Sequence, residues 1–180
     1  MKLLHSILLF TVLLLFGCST VTFEEPQPIN VKYLKSFPKS LIGLYVGKDM
    51  DTLIISHNFF KYEADEKYLI TSDLDLELGD AVLKKCKGCY VLSMKSEGEG
   101  LWDVVLINQK KTNLHVFGIN LEDEEEAVIH RLEKIVTVRV NQEDSKSTEY
   151  IIHPTKREFK DIIEKNIFSE VTIFTQIDSQ

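Results

Sequence analysis

The chain has 180 residues, 44% of them hydrophobic, and carries 28 acidic against 21 basic side chains for a formal net charge of −7. That balance excludes the basic footprint a nucleic-acid partner requires, and the hydrophobic share excludes general disorder. From about Phe37 onward the remaining length fits one domain around one core.

In chain order, the first element is an apolar run. Lys2 is followed by uncharged, apolar sequence from Ile7 to Phe16, the layout of a secretory signal peptide and shorter than the roughly 20 residues a membrane span needs. The run ends at Leu15-Phe16-Gly17-Cys18. This resembles the lipobox of bacterial lipoproteins, with leucine three residues before the cysteine and a small residue just before it; Phe16 is bulkier than the residue usual at its position. The resemblance implies that residues 1–17 are removed. It further implies that Cys18 carries diacylglycerol on its thiol and a fatty acyl chain, such as palmitate, on the new amino group. Two or three chains hold a protein on a membrane far more firmly than one. Ser19, rather than an acid, follows the cysteine, which in some bacterial lipoproteins resembles the signal for transfer to the outer membrane. The expected place is therefore the cell envelope, with the outer membrane favoured. Lys2 is the sole charge removed, so the mature chain is one unit more negative, and no Lys/Arg cluster stands beside the anchor to hold anionic lipid.

Residues 18–36 contain Glu24, Glu25, Pro26 and Pro28 and no sustained hydrophobic period, which predicts an extended spacer between anchor and domain. The domain is then expected over 37–180. Strand signals, short and rich in β-branched and aromatic residues, follow at Leu41–Val46, Thr52–Ser56, Asn58–Ala64 and Lys67–Thr71. Asp73–Gly79 alternates perfectly, placing Leu74, Leu76 and Leu78 on one face, so it predicts a half-buried strand. Further strands are predicted from Ala81 to Cys86, Cys89 to Lys95, Leu101 to Asn108 and Asn113 to Ile119. The short gaps between them make an antiparallel meander the economical topology.

Two helices are predicted in the C-terminal third. Leu121–Ile135 has acids at its start and His130, Arg131 and Lys134 toward its end, as the helix dipole favours, with Val128, Leu132 and Ile135 on one face. Thr155 and Glu158 form a T-x-x-E capping box, followed by the stripe Phe159, Ile162, Ile163 and Ile167. Strands are expected at Ile135–Val140, Thr148–Ile152 and Glu170–Ile177. The fold class is mainly β (α+β), an antiparallel meander curled into a barrel or sandwich with two helices.

The residues that could carry chemistry do not assemble into a catalytic pattern. The acidic run Glu122–Glu126 lacks the glycine and spaced ligands of a calcium loop, and a helix N-terminus accounts for it. His57, His115, His130 and His153 have no metal-ligand spacing, no G-x-S-x-G surrounds a serine, and Asp49 and Asp51 read as turn residues. No cofactor, metal or catalytic residue is expected. The function expected is a non-enzymatic interaction module for another envelope protein or a glycan.

Trp102, the single tryptophan, lies in Leu101–Ile107, where both faces are apolar apart from Asp103. That suggests a central strand or a wall around an apolar interior. The stretch from Ser40 to Phe60, through Gly43 and Tyr45, is similar to the opening of lipocalin-like barrels, where a glycine and an aromatic residue begin the first long strand. Tyr45 replaces the tryptophan commonly found there. The resemblance implies a second function, carriage of a small apolar ligand, with Trp102 and Phe117 lining the interior; an envelope enzyme of unknown class is the third alternative.

With Cys18 assigned to lipid, Cys86 and Cys89 remain as a C-x-x-C pair in a compartment that favours disulfides. Lys87-Gly88 reads as a two-residue hairpin turn, and cysteines flanking such a turn sit about 5.5 Å apart at Cα. A disulfide at the hairpin tip is expected, with free thiols, a metal knuckle and a redox pair ranked below it.

Overall fold

The computed structural model describes residues 19–48, 50–63, 71–96, 100–141 and 148–177. It is mostly β. The strands are β1 (Thr20–Phe23), β2 (Gly43–Val46), β3 (Thr52–Ile55), β4 (Phe59–Glu63), β5 (Thr71–Asp75) and β6 (Ala81–Cys86). They continue with β7 (Cys89–Lys95), β8 (Trp102–Lys110), β9 (Asn113–Gly118), β10 (Val138–Asn141), β11 (Glu149–Ile152) and β12 (Ser169–Ile177). Helix α1 (Glu125–Glu133) precedes β10, and α2 (Lys156–Glu164) lies between β11 and β12.

Two antiparallel meanders form the body. β2 to β5 pair in sequence, as do β6 to β9, and β12 joins them by pairing with both β9 and β2. The nine strands do not lie flat. β4 and β6 stand seven strand spacings apart, which in a flat sheet is about 34 Å, yet Phe60 of β4 and Leu83 of β6 share one buried cluster. The sheet therefore curls over its own concave face. It is not closed into a barrel. Two backbone bonds from the N-terminal segment bridge the two ends instead: Leu34 N–H donates to Leu83 O on the β6 edge, and Phe37 N–H donates to His57 O beside β4. Phe37 then meets Phe60 edge-on, with ring centroids 6.1 Å apart.

The convex face of β7, β8 and β9 is covered by a second layer. β10, β11 and β1 form a short extension joined to β8 through Phe23↔Trp102, and the β1–β11 pairing is parallel, which makes the sheet mixed. Both helices pack here. Phe159 and Ile162 of α2 are fully buried, and Phe23, Phe159 and Phe168 stack edge to face at 6.2 and 6.0 Å. Thr155 holds the helix start as expected: its hydroxyl accepts from Glu158 N–H, and the Glu158 carboxylate accepts from Thr155 N–H at 2.7 Å. β8 alternates between the two layers, Val104 and Leu106 toward the helices and Ile107 into the concavity. That explains why its sequence is apolar on both faces.

Five expectations are corrected. First, the segment read as a spacer is part of the domain, because Thr20–Phe23 forms β1 and Val21, Thr22 and Phe23 are buried. Beyond it, Gln27 N–H donates to Ser93 Oγ, and the buried Lys84 ammonium donates to the carbonyls of Pro26 (2.7 Å) and Pro28 (2.9 Å). An unpaired buried ammonium would be costly, so this polar clamp holds the segment down. Second, the alternating run ends at Asp75. The Asp75 carboxylate accepts Glu77 N–H at 2.7 Å and Gly79 adopts φ +77°, so a turn displaces the strand and leaves Leu78 76% exposed. Third, α1 starts at Glu125 rather than Leu121, because Asn120 Oδ1 accepts Glu122 N–H and forms an Asx turn ahead of it. Fourth, Ile135 and Val136 bond back to Leu132 O and extend the helix end, which delays β10 to Val138. Fifth, Leu41 belongs to a 3₁₀ turn, Lys39–Leu41, and β2 begins only at Gly43. Residues 67–70 of a predicted strand lie outside the described residues.

Candidate functional site: an apolar cavity in the curled sheet

Because the sheet curls without closing, inward-facing side chains of β3, β4, β7, β8, β9 and β12 converge but do not fill the space between them. A cavity of about 470 Å³ remains. That is within the range of about 300–1,000 Å³ usual for small-molecule sites. Its floor is apolar and deeply buried: Phe37, Ile55, Phe60, Leu92 and Ile107. Polar lining comes from Asp51, Tyr62 and Thr172. Tyr62 OH donates to Asp51 Oδ2 at 2.9 Å, and its ring meets Phe174 edge-on at 6.3 Å.

The opening follows from the pairing pattern. β2 pairs with β12 from Val46↔Thr175 onward, so the earlier residues of β12 have β9 on one side and, among the described residues, no strand on the other. A register shift between Glu170 and Thr172 makes room for Val171 as an extra residue, 48% exposed although it lines the cavity. A cleft formed by Val46, Gly47, Lys48 and the β12 residues from Glu170 adjoins the cavity, sharing Val171 and Thr172 with it. A Cβ on Gly47 would lie 3.2 Å from the Phe174 ring, so glycine lets this turn approach the wall.

Asp51 does serve as a turn residue, since its carbonyl accepts Gly47 N–H at 2.8 Å. Its side chain, however, faces Tyr62. That pairing was missed in the sequence, where the available signal was the inward alternation of Leu53 and Ile55 in β3 and of Phe60 and Tyr62 in β4. Trp102 and Phe117, expected to line a ligand site, pack instead against the helix-side core. They are one register step out of phase with the cavity residues Val105 and Val116. In a strand that step reverses the face.

The Lys87-Gly88 turn has the expected backbone, with φ of 52° and 85°, but Cys86 and Cys89 are free thiols. They form the closing pair of the hairpin. Cys89 Sγ donates to Cys86 O at 2.9 Å. Burial pushes both thiols above their ordinary pKa, against a partial opposing pull on Cys86 from Lys160, Lys87 and Lys156. A redox-active C-x-x-C needs the opposite shift. Cys18 lies outside the described residues.

Elsewhere, an open groove of about 1010 Å³ runs along the acidic start of α1. There Tyr150 OH donates to Glu125 at 2.7 Å. The four remaining histidines do not gather: His115 pairs with Glu170 and His153 with Glu24 on the surface. Among the described residues no group of three or more His, Cys, Asp or Glu is placed to hold a metal ion. No family model, curated protein or solved structure matches the chain.

Proposed function

We propose that this chain is a lipid-anchored cell-envelope protein whose domain binds a small apolar molecule and catalyses no reaction. The observation that carries the binding reading is the cavity: lined mainly by apolar side chains, continuous with a cleft at Val171 and Thr172, and supplied with few polar groups. The anchor rests on the lipobox-like Leu15-Phe16-Gly17-Cys18.

Under this reading only Ser19 separates the acylated residue from β1. Thr20 N–H is already bonded to Thr148 O at 3.0 Å. Two residues reach about 7 Å at most, so the domain rests against the bilayer surface instead of projecting from it. A flexible insert of about 20 residues after Ser19 should reduce energy transfer from Trp102 to an acceptor-labelled lipid headgroup.

Two measurements test the proposal. Wild-type protein should incorporate labelled fatty acid and sediment with membranes, and Cys18→Ser should abolish both; unchanged labelling rules out the anchor. The mature chain should also bind an uncharged, environment-sensitive naphthylamine, and Val116→Phe, which fills the cavity, should reduce that binding at least tenfold. Because Trp102 faces the other layer, the probe's own emission is the proper readout.

A further inference from the structure

Given that the cavity binds a ligand, we infer that the ligand is an amphiphile whose head group donates hydrogen bonds, a primary amine above all, and that the site rejects amphiphiles headed by a carboxylate. The argument begins with direction. The floor at Phe37, Leu92 and Ile107 is almost wholly buried, whereas Val171 at the cleft is half exposed. An apolar tail gains most by lying on the floor, which leaves the head group at the polar wall formed by Asp51, Tyr62 and Thr172.

Thr172 adds a hydroxyl able to donate or accept, and the Asp51–Tyr62 pair, which carries the charge of the wall, offers acceptor capacity. The single phenolic hydrogen of Tyr62 is committed to Asp51 Oδ2, so Tyr62 brings no spare donor to a ligand. An ionised Asp51 donates nothing, and its other oxygen has lone pairs to spare. Among the described residues no Lys, Arg or His forms an ion pair with Asp51. Lys48 is exposed and lines the outer cleft together with Glu170, whose carboxylate pairs with His115 at 2.6 Å. An ammonium placed at Asp51 gains a charge-assisted hydrogen bond. A hydroxyl gains an ordinary one, and a carboxylate meets a like charge at the edge of a low-dielectric cavity.

The test uses three ligands with one tail: decylamine, decanol and decanoate, each below its micelle concentration, displacing the naphthylamine probe from the mature chain with Cys18→Ser. Every described element lies within residues 19–177, so this chain retains the whole fold without its acyl groups. Decylamine should displace the probe at a concentration about tenfold below decanoate, with decanol between them. Asp51→Asn should erase the preference for the amine and improve decanoate. Tyr62→Phe, which leaves the carboxylate in place and frees Oδ2, should preserve the preference for the amine. Equal displacement by all three ligands, or tighter decanoate, overturns the head-group inference and leaves the cavity as a binding site. Failure of the probe to bind at all overturns both. If Asp51→Asn does not fold, the order of the three ligands on the wild-type side chain still decides.

Discussion

The two faces of β7, β8 and β9 carry side chains of much the same kind and have different fates. On the convex face, α1 brings Leu132, α2 brings Phe159 and Ile162, β1 brings Phe23 and the turn before β12 brings Phe168 onto the sheet, and the aromatic rings meet edge to face. On the concave face no helix arrives among the described residues. The sheet must supply both walls, and its curl leaves about 470 Å³ between them. A layer that serves stability alone is normally close-packed, so the hollow side is the one with room for a function. Residues 104 and 105 state the contrast at its smallest: Val104 is buried under the helices, and Val105, its neighbour, lines the cavity.

The largest effect expected from breaking that contrast is on the packed side. Phe159→Ala should cost about 3–5 kcal/mol in urea unfolding, because the ring is wholly buried between two other aromatics. Probe binding by whatever fraction remains folded should be unchanged. The adjacent valines sharpen the comparison. Val104→Phe overfills a closed core and should destabilise by about 1–3 kcal/mol. Val105→Phe enters existing space, should change stability by about 1 kcal/mol or less, and should abolish binding of the naphthylamine probe. Equal stability costs for the two variants would show that the concave side is packed as tightly as the other.

The smallest effect concerns the seam between α1 and the β-extension. The hydrogen bond from Tyr150 to Glu125, assisted by burial, pushes the phenol up to about 12. An unfolded tyrosine ionises near 10, so the native state holds this proton more tightly. Its contribution is complete below pH 10 and disappears as pH rises through about 12. In an alkaline absorbance titration Tyr150 should ionise late, and Glu125→Gln should bring it forward. Tyr45, also shifted upward by burial, should not move in that variant.

Much of the strand pattern was legible, and the reason is local. β3, β4, β6, β7, β9 and β12 are short runs bounded by turn residues, and their register is set by period-two burial. The helix at Thr155 announced itself through a capping box that is complete within four residues. Where the reading failed, a competing interaction was stronger than the pattern. Asp75 captured a backbone amide and stopped a run of alternating leucines. Thr20–Phe23 looks like a linker beside Pro26 and Pro28, and becomes a strand because β11, about 130 residues later, offers it an edge. No local rule foresees that pairing. The site itself was partly legible: an apolar interior was foreseen, and the wrong faces of β8 and β9 were assigned to it.

The sequence by itself determined the mainly β class, most strand positions, the capped helix and the type of turn at Lys87-Gly88. Each depends on residues within a few positions of one another. Tertiary structure decided that the N-terminal segment clasps the sheet, that Lys84 is buried on two proline carbonyls, and which face of each central strand borders the cavity. A strand with apolar residues on both faces does not specify which side a helix will cover. That choice was made by α2 and β1, elements distant in the chain, when they filled one side and left the other open.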